Sequence, residues 1–127
     1  MKLLVAEDDP VMQIIWREMA NYWDLPVEVS IAEDGNQALQ KVINDCPDLI
    51  ITDLEMPNLD GRALIKILSK HSLYADIPIV VASGSPANDL IMEPAVIAYL
   101  AKPFHFDEIC QLLKEYIQKL PESVTPA

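Results

Sequence analysis

A chain of 127 residues, 51% of them apolar, has room for one globular domain with a proper core and nothing that suggests a second. A formal charge of −11 and a pI near 4.3 argue against direct binding to nucleic acid or an anionic membrane, since either needs a basic face, and favour a basic or cation-bearing partner. No apolar run is long enough to span a bilayer, and the opening MKLLVAEDD turns acidic before a signal-peptide core can form, so a soluble cytoplasmic protein is expected.

Leu3 to Ala6 is a short continuous apolar run, the pattern of a strand buried on both faces, and it stops at Glu7, Asp8 and Asp9. Of these acids, Asp9 reads as solvated. Pro10 suits the first turn of a helix, and Val11, Ile14, Ile15 and Met19 supply its apolar stripe up to Trp23. Trp16 and Trp23 recur on one face of that helix, an arrangement that suits either a partner surface or burial against the second strand. Val27, Val29 and Ile31 alternate with polar residues, which predicts an edge strand. Ala38, Leu39, Val42, Ile43 and Cys46 make the face of a second helix that Pro47 ends.

Leu49 to Ile51 is too short an apolar run for a helix and the right length for a buried strand, so Asp53 lies at a strand's carboxyl end. Asp60 is placed to cap a third helix, whose buried stripe is Leu64, Ile65 and Leu68. Ile79 to Ala82 reads as a fourth strand, Ser85-Pro86 as the cap and first turn of a short fourth helix stopped by Pro94, and Val96 to Ala101 as a fifth strand. Ile109, Leu112, Leu113, Tyr116 and Ile117 fall on one face of a last helix. The domain is therefore expected to span residues 1–120, with 121–127 a frayed tail or linker stump. Cys46 and Cys110 have no metal-type spacing and read as small core or boundary residues.

Five strands alternating with five helices predict an α/β fold: a doubly wound, five-stranded parallel sheet with helices on both faces. With the second strand at an edge the order is 2-1-3-4-5, of the flavodoxin-like kind, and the first and third strands meet at a topological switch point. Glu7, Asp8 and Asp53 then converge. None of Gly35, Gly61 and Gly84 belongs to a glycine-rich phosphate loop, which removes the nucleotide-binding readings of this architecture. Three close carboxylates either shift their pKa values or recruit a cation, and one or two carboxylates with water and phosphate oxygens suit magnesium. Lys102 and Ser83, at the ends of other strands, reach the same crevice and could neutralise and hydrogen-bond phosphoryl oxygens, which makes Asp53 a candidate phosphoryl acceptor.

The segments LLVAEDD, AEDGNQAL, PDLIITDLEMPNLDG, DIPIVVAS and YLAKPF, in this order, resemble the receiver domain of bacterial response regulators, including chemotaxis regulators, from Lys2 to about Ile117. The resemblance implies that Asp53 accepts phosphate from a histidine kinase or histidine phosphotransfer protein in a two-component system or phosphorelay. It implies Mg2+ ligated directly by Asp8, largely through water by Glu7, by Asp53 and by the backbone carbonyl of Glu55. Ser83 would be the switch hydroxyl, Tyr99 the switch aromatic and Lys102 the lysine of the site, followed by a cis Lys102–Pro103 bond. Such a domain assists its own phosphoryl transfer and dephosphorylation without being an enzyme in the ordinary sense, and signals by protein contact to a downstream target or a fused output domain.

Met12 and Ile15, at the start of the first helix, are the candidate contacts for the phosphodonor, with Val11 assigned to packing. The stretch between Ser83 and Lys102 is shorter than is usual in the family, and Val96-Ile97 stands where a glycine-alanine pair is common, so the fourth helix is expected to be reduced or displaced. Two rivals are weighed. A pseudo-receiver that binds partners without phosphate would be expected to lose Asp53, Lys102 or the acid pair. A hydrolase of the haloacid dehalogenase class would carry its nucleophile on the first strand with a second Asp two positions on, whereas Asp53 is on the third strand and is followed by Glu55.

Overall fold

The computed structural model describes residues 1–84, 86, 88–90 and 93–119. Its elements are β1 (Lys2–Ala6), α1 (Pro10–Tyr22), β2 (Glu28–Ala32), α2 (Gly35–Asn44), β3 (Leu49–Thr52), α3 (Gly61–Ser69), β4 (Ile79–Ser83), a 3-10 turn (Asn88–Leu90), β5 (Val96–Ala101) and α4 (Phe106–Lys119). All strand pairs are parallel and the order is β2-β1-β3-β4-β5. The expected doubly wound architecture is the one observed.

The period-two alternation of a strand sends its side chains to two faces, and both faces are covered. On one side Leu4, Ala6, Ile50, Ile79 and Val81 pack with Ala38 and Val42 of α2 and Leu64, Ile65 and Leu68 of α3. On the other, Leu3, Val5, Leu49, Ile51, Val80 and Ala82 pack with Trp16 of α1 and Ile109 and Leu113 of α4. Buried on both faces, β1 and β3 read as apolar runs, while burial alternates along the outer strand β5 and along the first three residues of β2.

Four α-helices, not five, occur among the described residues. Where a short fourth helix was expected lies the 3-10 turn, anchored by Leu90, which is fully buried. Asn88 and Asp89 are residue types that favour local turns over helix interiors, and Pro94 closes the stretch from beyond. The assignment of Ser85 as a cap and the tail from residue 121 lie outside the described residues.

The buried stripe of α1 is rotated by one residue from the expected one. It runs through Met12, Trp16, Met19 and Trp23, all packed on the sheet, while Val11 and Ile14 are 63% and 59% exposed. The two indoles decide the rotation, because burying them removes the most apolar surface from water. Trp16 meets Trp23 edge-on at 6.5 Å and packs on Phe104 and Phe106, so both tryptophans belong to the core and not to a partner surface. Val11 and Met12 thus exchange the places assigned to them. Cys46 lies past the end of α2 and is exposed, against its expected boundary position, because α2 closes at Asp45, whose N–H bonds the Lys41 carbonyl. No described helix is long and apolar enough to cross a membrane.

Candidate functional site

The parallel ladder runs one bond past the strands and aligns the site. Asp53 N–H donates to the carbonyl of Ala6 at 3.1 Å, and Glu7 N–H donates to that of Ala32 at 2.9 Å, so both acids leave the sheet at its carboxyl edge. One oxygen each of Glu7, Asp8 and Asp53 lie within 4.8 Å of one another. Together with Glu55, Met56 and Lys102 they line an open cleft.

Lys102 bridges two of the three acids. Its ammonium donates to Asp53 Oδ2 at 2.7 Å and to Glu7 Oε1 at 3.1 Å. Glu7 is only 3% exposed, and burial, the largest influence on its carboxyl, pushes its pKa up against the opposing pull of the Lys102 charge. For Lys102 burial works to lower the pKa, but the hydrogen bond to Asp53 and the charge and hydrogen bond of Glu7 outweigh it, and the net shift is upward. The Lys102–Pro103 peptide is cis, and the Lys102 N–H donates to the Ser83 carbonyl at 3.0 Å. Ser83 itself is buried at the end of β4.

Asp53 Oδ1 accepts from the N–H of Glu55 at 3.1 Å, and Glu55 lines the cleft with its side chain exposed. Asp9, expected to be solvated, is exposed, and it also caps α1 by accepting from Val11 N–H at 2.9 Å, because a helix begins where the acid run ends. Tyr99, paired with Val81, is 43% exposed, and burial first, then the charges of Asp89 and Glu93, raise its phenol pKa. Ile15 is half-buried beside the exposed Val11 and Ile14.

Several supporting residues escape sequence reasoning. Thr52 is fully buried, and its hydroxyl donates to the Asp53 carbonyl at 2.8 Å; the only sequence signal is a polar residue closing an apolar run. The same carbonyl faces Gly61, where a Cβ would stand 2.0 Å from it, so only glycine lets α3 begin this close to Asp53. Asp60 caps α3 as expected, accepting from Ala63 N–H at 2.8 Å. On the other flank Asn58, at φ 65°, donates to Asp34 Oδ2 at 2.7 Å, and Gly35 N–H donates to the Leu59 carbonyl at 2.8 Å. The loop after Asp53 is thereby tied to the start of α2.

The donor set is one of hard carboxylate oxygens at a sheet edge, which fits a hard divalent cation such as Mg2+ better than a soft metal. Three carboxylates able to hold such a cation, with an ammonium bonded to two of them, make a site suited to gathering and neutralising phosphoryl oxygens.

The sequence matches the family described as response regulator receiver domain over residues 3–114. It is 34% identical over 111 residues to the sensor histidine kinase TmoS of Ectopseudomonas mendocina, covering 85% of this chain and 11% of the kinase. It is 27% identical over 118 residues to the probable C4-dicarboxylate response regulator DctR of Bacillus subtilis, covering 92% of this chain and 52% of that protein. This chain therefore spans about a tenth and about half of these two relatives. Among solved structures it is similar to the receiver domain of a sensor histidine kinase from Pseudomonas aeruginosa PAO1, with TM-score 0.75, 27% identity and 93% of this chain and 98% of the other covered. That structure holds a magnesium ion coordinated in its active-site cleft.

Proposed function

This chain belongs to the response regulator receiver domain family, and from that premise we propose that residues 1–120 form a phosphoaccepting receiver in which Asp53 is the acceptor. The observation that carries the reading is the single ammonium of Lys102 bonded at once to Asp53 and Glu7, with Asp8 in reach of both acids.

A carboxylate oxygen of Asp53 attacks phosphorus in line. The new O–P bond forms as the bond to the donor, a phosphohistidine nitrogen or the oxygen of a small acyl phosphate, breaks and its electron pair leaves with the donor. Glu7, Asp8 and Asp53, with the Glu55 carbonyl, would hold Mg2+, which supplies positive charge against the negative phosphoryl oxygens. Lys102, already at 2.7 Å from Asp53, turns an N–H to an equatorial oxygen. Ser83 donates its hydroxyl to another, and Tyr99 then trades its exposed position for the space vacated, altering the surface read by a target protein or a fused output domain. The phosphodonor, a histidine kinase or phosphotransfer protein, docks at the start of α1, where Val11 and Ile14 are exposed and Met12 and Ile15 lie half-buried beside them. The site performs one transfer per domain and assists its own dephosphorylation.

The test is the intact mass after incubation with Mg2+ and acetyl phosphate, beside Asp53→Asn and EDTA controls. One phosphoryl adduct that requires both Asp53 and the metal is expected. A folded protein that gains no adduct and binds no beryllofluoride would instead be a phosphate-independent binding module.

A further inference from the structure

Arg62 is the second residue of α3 and follows Gly61, whose backbone is packed on the Asp53 carbonyl. Its side chain leaves the site and crosses to the β4–β5 connection. There Nε donates to Asp89 Oδ2 at 2.9 Å and Nη2 donates to the Pro86 carbonyl. The guanidinium holds the Asp89 carboxyl below the usual range, with the hydrogen bond as the chief cause. Beside Asp89, Leu90 is sealed in the core shared with Leu64, Ile65 and Leu68 of α3. Pro86, Asp89 and Leu90, in the connection that follows β4, are thus tied to α3, the first two by polar contacts and the third by an apolar one.

These contacts make Arg62 a link between the start of α3, beside Asp53, and the connection that follows Ser83. Pro86 lies three positions after Ser83 and Asp89 six, so the clamp grips the chain just past the hydroxyl. Gly84, between them, has open space about it, with nothing within 4 Å of an added Cβ. A side chain there would crowd no neighbour. Asp89 is also one of the charges that raise the Tyr99 phenol pKa, so the clamp is within electrostatic reach of the exposed aromatic.

We propose that Arg62 is a positioning residue: its bonds to Asp89 and Pro86 latch the Ser83-bearing connection in the resting arrangement, and a phosphoryl group on Asp53 must work against that latch. The proposal rests on the phosphoacceptor reading. A contact made in one state and weakened in the other opposes the shift by the difference in its strength. A half-exposed ion pair reinforced by a second donated bond is worth a modest amount, which corresponds to a change of about three- to fivefold in affinity for the ligand that drives the shift.

Two readouts test it on the full chain with Mg2+. The first is amide exchange at Gly84, Asp89 and Leu90 without phosphate analogue, and the second is beryllofluoride affinity followed by fluorine NMR. In Arg62→Gln the three amides exchange faster and beryllofluoride binds about three- to fivefold tighter. Asp89→Asn moves both readouts the same way by a smaller amount, and the double variant adds little to Arg62→Gln, because both changes remove one device. Unchanged exchange in Arg62→Gln overturns the latch, and so does faster exchange with unchanged or weaker beryllofluoride binding, which would make Arg62 a structural tie only. A wild-type chain that binds no beryllofluoride at all overturns the phosphoacceptor reading and the regulatory role of Arg62 with it, while exchange at the three amides still tells whether the tie exists.

Discussion

The ammonium of Lys102 stands 2.7 Å from Oδ2 of Asp53, 49 positions earlier in the chain, and reaches it across the sheet from the end of β5. The cation is therefore in place in the chain by itself. Exchanging it for Met removes that charge and leaves Glu7 buried with no cation bonded to it. Lys102→Met should slow phosphorylation by acetyl phosphate by on the order of a hundredfold, read from the rate of adduct formation by mass.

The same variant has a signature without metal. Glu7 titrates above its ordinary value in the folded protein, so over that range the native state holds more protons than the unfolded one and stability falls as pH rises. With Lys102 gone the opposing charge is gone too, and the fall becomes steeper. Urea midpoints of Lys102→Met in EDTA should decline more between pH 5 and pH 8 than those of the wild type; equal slopes would mean that Lys102 does not compensate Glu7.

Gly61 and Gly84 make a matched pair of substitutions. Alanine at Gly61 sets a Cβ 2.0 Å from the Asp53 carbonyl oxygen, and alanine at Gly84 meets nothing within 4 Å. Gly61→Ala should cost about 1–3 kcal/mol in urea unfolding and slow phosphorylation, because the backbone that must yield carries Asp53. Gly84→Ala should leave stability within about 0.5 kcal/mol of the wild type.

The sheet order and the convergence of Glu7, Asp8 and Asp53 were legible because unbroken apolar runs, an alternating edge strand and acids at strand ends are local patterns that a parallel sheet brings together by rule. What escaped depends on rotation and on long-range pairing. Val11 and Met12 are adjacent and both apolar, and the bulk of Trp16 and Trp23, on the face of Met12, favours turning that face to the sheet. Arg62 and Asp89, 27 positions apart, carry no sign of each other in the sequence. Thr52 looks like the end of a strand until its hydroxyl is seen on the Asp53 carbonyl.

Asp34 caps α2 and holds Asn58, and the hydrogen bond from the Gln37 backbone, followed by that from Asn58, lowers its carboxyl pKa below the reference 3.8. A carboxyl depressed in the folded state contributes stability that is full above its unfolded pKa and lost as pH falls through the folded one. Asp34→Ala should therefore destabilise by about 1 kcal/mol at neutral pH, as loss of a cap does. The difference from wild type should shrink as the pH drops below 3.8. A difference that stayed constant down to acid unfolding would assign the effect to something other than the charged cap.

Trp16 is the largest fully buried side chain, and its indole Nε1 is the buried polar side-chain atom without a hydrogen-bond partner among the described residues. Its value is then in ring volume and in its contacts with Trp23, Phe104 and Phe106. Trp16→Ala should cost about 3–5 kcal/mol, whereas Trp16→Phe, which removes the unpartnered N–H along with part of the volume, should cost much less, about 1–2 kcal/mol. Thermal unfolding of the two variants followed by far-UV dichroism separates these outcomes.

Strand β5 reads VIAYLA, six residues without charge or proline, and it ends the strand order of the sheet. Its outer backbone edge has no neighbouring strand among the described residues. Segments of this composition are the ones that stack on copies of themselves when they come loose. Here the run is bracketed by Glu93-Pro94 on one side and Lys102-Pro103 on the other, charges and prolines that resist extension of such a stack. The lysine that bridges Asp53 and Glu7 thus also stands where a charge guards the end of β5, and a variant that removes it should expose the unfolded chain to self-association as well as taking the ammonium from the cleft.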